Sequence, residues 1–318
     1  MTYRGRFAPS PTGPLHFGSL VAAAGSFLDA RHHQGEWLLR MEDLDPPREL
    51  AGASDDILRT LEQLGLTWDG PVVYQSTRYH LYEAALDSLR QQGHLFDCAC
   101  SRKEIADSAV PGKSGSVYPG TCRNGLVPGR SPRSVRLRTQ AIEISVRDRL
   151  QPTFAQQLEA DVGDFIVHRA DGLFSYQLAV VVDDGEQGIS HVVRGADLLD
   201  STPRQIFLQQ LLGLPKLDYL HLPVAVNADA DKLSKQTHAL PVDASRGTEV
   251  VYCAICTSHC RSHRRTPAWT SYGSGPLNTG TVPPCQHNTA MQHPPPTLQQ
   301  SRNTERAAWQ ARLYGYNR

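Results

Sequence analysis

The sequence contains no apolar run approaching the roughly 18 residues that cross a bilayer. Met1 to Arg6 also lack the apolar segment of a secretory leader. These absences predict a cytoplasmic protein with no membrane partner. There is no excess of charge: 32 Lys plus Arg offset 32 Asp plus Glu, which excludes a surface that is basic all over and leaves room only for a basic patch. There is no cysteine framework either. Seven cysteines form an odd set without an export signal, which favours reduced thiols or metal ligands over disulfides. What is present, 40% hydrophobic residues in 318, suffices for a globular core, and the length is enough for two domains.

The zero net charge is an average of two unlike parts. Residues 248–318 contain no Lys and no Asp, and seven Arg there face two Glu. The remainder is therefore acidic by the same five charges. Leu, Ile, Val and Phe number only seven in that tail, below the level at which a packed core forms, and Pro294-Pro295-Pro296 interrupts it. The segment from 247 onward reads as non-globular, or as a continuation thrown out of register near Arg246. Cys253, Cys256 and Cys260 with His259 and His263 have the spacing of a zinc knuckle, but they read as chance cysteines in a polar stretch.

Residues 1–247 alternate strand and helix patterns. Arg4 to Ala8 and Trp37 to Met41 read as strands, and Gly18 to His33, the stretch around Ile57, Leu61 and Leu64, and Ser76 to Gln92 as helices. Between Cys98 and Pro132 the pattern becomes irregular and rich in Gly and Pro, as in an inserted subdomain. Phe165 to Val167 and Tyr176 to Val182 resume strand character. Thr202-Pro203-Arg204-Gln205 has the form of a capping box, with Thr202 at the N-cap. The alternation predicts an α/β fold with a mostly parallel sheet and a ligand at the carboxyl edge of its strands.

Two motifs carry chemistry. Arg6-Phe7-Ala8-Pro9-Ser10-Pro11-Thr12-Gly13-Pro14-Leu15-His16-Phe17-Gly18-Ser19 is a strand, a tight turn and a His-x-Gly helix start, whose free N–H groups and positive dipole end suit a phosphate. Lys232-Leu233-Ser234-Lys235 places two mobile cations in a polar loop, a second phosphate element. In this order the two motifs resemble the class I aminoacyl-tRNA synthetase signatures. Arg40-Met41-Glu42-Asp43-Leu44-Asp45, Phe174-Ser175-Tyr176-Gln177 through Asp183-Asp184, and Val193-Arg194-Gly195-Ala196-Asp197 narrow the resemblance to the glutamyl type. Within that type, the chain is similar to the short subfamily that modifies queuosine in tRNA(Asp), over residues 4 to about 246.

That resemblance implies a Rossmann-like catalytic core split as 1–97 and 161–246, with an acceptor-type subdomain inserted at 98–160. It implies glutamate activation by ATP with Mg²⁺, and transfer to queuosine at the wobble position of tRNA(Asp), by a monomer. By analogy Arg6, Phe7, Ala8, Pro9, Ser10, Glu42, Tyr176 and Arg194 hold L-glutamate. His16, Gly18, Lys232, Ser234 and Lys235 meet ATP, with His16 and Lys235 acting on its phosphates. Cys98, Cys100 and Cys122 leave structural zinc and three inert thiols equally open on spacing, with His94 the candidate fourth ligand; the family pattern names Tyr118 instead. A truncated glutamyl-tRNA synthetase charging tRNA 3′ ends, and a non-catalytic RNA-binding paralogue, are the alternatives. Only 83 residues follow the lysine loop, short of an anticodon-binding domain, which favours the queuosine reading. Arg123, Arg130, Arg133, Arg136 and Arg138 form a local basic density that suits a tRNA backbone.

Overall fold

A computed structural model describes residues 2–112, 115–224 and 241–259. Lys232, Ser234 and Lys235 lie outside the described residues, as does everything after 259. Strands β1 (Arg4–Phe7), β2 (Glu36–Met41) and β3 (Val73–Tyr74) pair in parallel in that order, with Gly5 opposite Trp37 and Phe7 opposite Leu39. A second parallel pair, β11 (His191–Gly195) and β12 (Asp218–Leu222), lies beside β1, where Ser190 N–H donates to the Arg4 carbonyl at 2.9 Å. Parallel neighbours need crossover connections. These are α1 (Phe17–His32) from β1 to β2, α2 (Ala53–Gln63) from β2 to β3 and α6 (Thr202–Leu211) from β11 to β12.

The helices form where sequence and burial agree. In α2, Ile57 and Leu61 are buried at i and i+4, and Asp55 and Asp56 meet the positive end of the dipole. Helix α1 buries Leu20, Val21 and Ala24 and ends on Arg31 and His32. Gly25 lets α1 lie flat on the sheet edge, since a Cβ there would meet Leu222 Cδ1 at 2.5 Å.

The insertion is antiparallel. β4 (Leu95–Cys98), β7 (Ser134–Leu137) and β10 (Phe165–His168) pair in the order β10-β7-β4. Its sheet thus draws strands from both sides of the 98–160 range. It is continuous with the main core, because Leu137 and Val167 share one apolar cluster with Tyr82 and Leu89 of α3 (Tyr79–Gln91) and with Phe207.

Three local readings change. Tyr176 to Val182 is not a strand but the start of helix α5 (Tyr176–Glu186), capped by Ser175, whose Oγ accepts from Leu178 N–H. A short apolar run fits a buried helix as well as a buried strand, and here both faces are covered. Thr202 is not an N-cap. A 3₁₀ segment, Ala196–Ser201, runs directly into α6, and the Thr202 and Gln205 side chains bond elsewhere. Finally, Gly247–His259 is a helix, α7, packed on α1. Val250, Cys253 and Ala254 are buried at i, i+3 and i+4 spacing, a helical stripe that the average composition of the tail conceals. Ala254 is 0% exposed, so Ala254→Arg is expected to destabilise by about 3 kcal/mol in urea unfolding. An unchanged midpoint would mean that α7 does not belong to the core.

Candidate active site

In a parallel sheet the carboxyl ends of the strands open on one side. There the exit of β1, the first turn of α1, the exit of β2 and the ends of β11 and β12 surround a cavity of about 410 Å³. Arg6, Phe7, Ala8, Pro9, Ser10, His16, Gly18, Glu42, Tyr176 and Arg194 all line it. Every described residue named for glutamate or ATP therefore meets in one place. The turn after β1 is held by Thr12 N–H to the Ser10 carbonyl at 2.8 Å and by Glu42 N–H to the Pro9 carbonyl at 2.9 Å. His16 caps α1, its Nδ1 accepting from Ser19 N–H at 3.2 Å. The two ends of the segment carrying the lysine pair are also local: Val224 lines the cavity, and Pro241 bridges to His16.

The charges beneath this cavity are buried and paired. Asp184 on α5 accepts from Arg6 Nε at 3.1 Å and Nη2 at 3.3 Å, and from Arg40 Nη2 at 2.8 Å. The Arg40 side chain is 0% exposed and also reaches Gln187 Oε1. Next to it, Asp183 accepts from Arg78 Nε, Gln75 Nε2 and Tyr82 Oη at 2.6–2.8 Å. Arg194, at the end of β11, donates from Nε to His221 Nε2 at 3.1 Å and from Nη2 to Thr202 Oγ1 at 2.8 Å. Both cavity arginines are thus gripped along the Nε–Nη2 edge. Among the described residues Nη1 of each has no hydrogen-bond partner and remains available to an anion.

Glu42 faces the same space with its side chain 11% exposed, 3.8 Å from Arg40. Burial, reinforced by Asp184 and Asp183, pushes its carboxyl up to about 7 against the pull of Arg40 and Arg6. A carboxyl poised in this way favours a cation as its partner. Burial likewise raises the Tyr176 phenol, which stays protonated as a hydrogen-bond donor. Sequence reasoning quoted Arg40 and Asp183-Asp184 without giving them work, and it missed Asp148 and His221. The signal for the first three was charge in an apolar setting: Arg40 follows Trp37-Leu38-Leu39, and the aspartates end an apolar helix.

In the insertion, the sulfurs of Cys98, Cys100 and Cys122 lie within 4.8 Å of one another. The Tyr118 Oη is 3.5 Å from Cys98 Sγ and 3.7 Å from Cys100 Sγ. His94 does not join this group. Burial acts to raise the Cys98 thiol, but hydrogen bonding with Tyr118 and Arg136 outweighs it and holds the thiol down at about 7. Three thiols and a phenol at this spacing form a donor set that fits a metal ion. The neighbouring arginines are mostly taken up by the fold. Arg123 pairs with Glu159, Arg130 with Glu104, Arg136 is buried against Tyr118, and Arg138 lies over Phe96. Only Arg133 of the five remains as exposed, uncommitted charge among the described contacts.

The family described as tRNA synthetases class I (E and Q), catalytic domain, matches residues 2–260. A glutamyl-Q tRNA(Asp) synthetase from Dechloromonas aromatica is 65% identical over 255 residues, covering 80% of this chain and 85% of the relative. The chain belongs to the glutamyl-Q tRNA(Asp) synthetase family. A second glutamyl-Q tRNA(Asp) synthetase, from Chromobacterium violaceum, is 60% identical over 77% of this chain and 83% of its own length. Membership makes the chain a ligase of the aminoacyl-tRNA synthetase type. Among solved structures, a glutamate tRNA ligase from Elizabethkingia meningosepticum in complex with its amino acid superposes with a TM-score of 0.66 at 25% identity. It covers 78% of this chain and 56% of that one, so the chain spans about half the length of that larger enzyme. The family match passes residue 246 and includes the helix α7.

Removing the carboxylate that joins Arg6 to Arg40 leaves the buried Arg6 without its counter-charge and Arg40 with only the longer contacts to Asp183 and Glu42 at 3.8 Å. Asp184→Ala is expected to lose about 3–5 kcal/mol of stability in urea denaturation. A loss below about 1 kcal/mol would show that the network is not buried as described.

Proposed function

We propose that this protein activates L-glutamate with ATP and transfers the glutamyl group to queuosine of tRNA(Asp), as a monomer in the cytoplasm. The observation that carries this reading is the cavity itself, in which two anchored arginines with free Nη1 groups face a carboxyl poised near neutrality. L-Glutamate brings two carboxylates and one ammonium, a pattern complementary to Arg6, Arg194 and Glu42. Tyr176 adds a hydrogen bond, and Phe7, Ala8, Pro9 and Ser10 form the wall. One glutamate carboxylate oxygen attacks the α-phosphorus of ATP, and the bond to the bridging oxygen of pyrophosphate breaks. Glutamyl-adenylate and pyrophosphate form; transfer of the acyl group then releases AMP. No protein nucleophile is required, because positioning and charge stabilisation suffice.

We assign ATP to the α1 end of the cavity, with His16 and Gly18 at its rim and Lys232, Ser234 and Lys235 clamping the phosphates with Mg²⁺. The N-terminus of α1 and the anchoring of both ends of the lysine segment beside it support this placement. We assign one Zn²⁺ to Cys98, Cys100, Tyr118 and Cys122, where it cross-links a subdomain with few apolar contacts of its own.

The direct test offers labelled glutamate and ATP with queuosine-containing and queuosine-free tRNA(Asp). Label is expected only on the first. Label on both, or on tRNA(Glu), would overturn the reading.

Glu42 gives a pH signature. Its raised pKa means that lowering the pH through about 7 protonates the group that takes the ammonium, while both substrate carboxylates stay ionised. The KM for glutamate is expected to rise as pH falls from about 8 to 6, and Glu42→Gln to be weak and flat across that range. A flat wild-type profile would remove Glu42 from the ammonium site. For the metal, purified protein is expected to hold close to one equivalent of zinc, and Cys100→Ser to lose it. Metal-free wild-type protein that melts at the holoprotein temperature would retire the assignment.

A further inference from the structure

Arg194 is held by a device different from the one that holds Arg6. Arg6 rests directly on a carboxylate, whereas behind Arg194 stands His221, 0% exposed, and behind His221 stands Asp148, its side chain also 0% exposed. Asp148 lies in the loop after β8 (Glu143–Val146), and His221 lies in β12 next to Arg194 across the parallel pair.

The chemistry of the donors fixes the protons. Arg194 Nε carries a hydrogen and cannot accept, so His221 Nε2, 3.1 Å away, must present its lone pair. The neutral ring then carries its hydrogen on Nδ1, which donates to Asp148 Oδ2 at 2.6 Å. Asp148 is secured in turn by the backbone N–H groups of Leu150, Gln151 and His221. Thr202 Oγ1 accepts from Arg194 Nη2 at 2.8 Å, and its own hydrogen has two acceptors in reach, His221 Nε2 at 3.1 Å and the Leu198 carbonyl at 3.3 Å. Either choice leaves His221 Nε2 an acceptor and Nδ1 the donor to Asp148. The groups facing the imidazole are Asp148, Arg194, Thr202 and the Tyr219 ring stacked 6.0 Å away. An acid directly on Arg194 would neutralise it, while a neutral imidazole holds it rigidly and keeps the counter-charge one ring further off. That leaves Arg194 its attraction for a carboxylate.

We propose that Asp148 and His221 form a positioning dyad that locks the Arg194 guanidinium, through a neutral imidazole protonated on Nδ1, with Nη1 aimed at a substrate carboxylate. This rests on Arg194 binding glutamate, and the dyad acts through Arg194 without touching the substrate.

The test is a set of steady-state measurements of glutamate-dependent pyrophosphate exchange, with thermal melting of each variant. Arg194→Met examines the underlying reading alone: an unchanged KM for glutamate would overturn the glutamate site itself. His221→Asn keeps a donor for Asp148 but has no atom that reaches Arg194 Nε. It is expected to raise the glutamate KM roughly 10- to 100-fold, the loss of one charge-assisted hydrogen bond, with kcat and the ATP KM within a few-fold. His221→Gln restores an acceptor near the Nε2 position and is expected to recover most of that loss. In the double variant Arg194→Met/His221→Asn, the second change should add nothing further. Arg194→Met with a large effect and His221→Asn with none, or additive effects in the double variant, would overturn the dyad while leaving the glutamate site standing. Should His221→Asn fail to fold, nitrogen NMR of histidine-labelled wild-type protein decides. Protonation on Nδ1 with bare Nε2 at neutral pH supports the dyad; the opposite tautomer, or an imidazolium, overturns it.

Discussion

The carboxylate of Asp184 is the point on which the site is built. It receives Arg6 from β1 and Arg40 from β2 while belonging to α5, so one buried side chain fixes two strands and a helix relative to one another. Buried ions are costly unless each is paired and hydrogen-bonded. Here the pairing is supplied by alternation: Arg78, Asp183, Arg40, Asp184 and Arg6 follow in sequence of sign through the floor of the cavity. Because α5 also begins with Tyr176, the same interaction sets the height of the phenol at the cavity wall.

This floor explains why Glu42 is unusual. Its neighbours Arg40 and Arg6 already have Asp183 and Asp184 as counter-ions, so the third acid of the cluster lacks a full cation of its own. Its carboxyl rises toward neutrality and waits for an incoming charge. The two cavity arginines divide the task of anion binding. One is neutralised from behind by Asp184, and the other is steadied by a neutral ring. A ligand with two carboxylates therefore meets two rigid N–H donors of unequal field.

Much of this was legible in the sequence, and the remainder was not for physical reasons. The resemblance to the glutamyl-type synthetases, carried by short local motifs, named Arg6 through Ser10, His16, Gly18, Glu42 and Arg194 for one site, and the strand exits and helix start that hold them line one cavity. The helix α5 was misread as a strand, since Tyr176 to Val182 is an apolar run broken only by Gln177 and shows no helical period. The role of Thr202 was misread because a capping sequence and a side chain holding an arginine look alike until Arg194 is seen beside it. Asp148 and His221, 73 residues apart, become a pair only when β12 and the loop after β8 meet. The helix α7 was hidden by averaging: three buried positions at helical spacing were diluted by a tail of different composition.

The most direct measurement is a structure of the protein with L-glutamate bound. One carboxylate is expected on Arg6 Nη1, the other on Arg194 Nη1 and the ammonium on Glu42, with Asp184 still joined to Arg6 and Arg40. Glutamate seated away from these three residues, or Arg6 swung off Asp184 to meet it, would contradict the account.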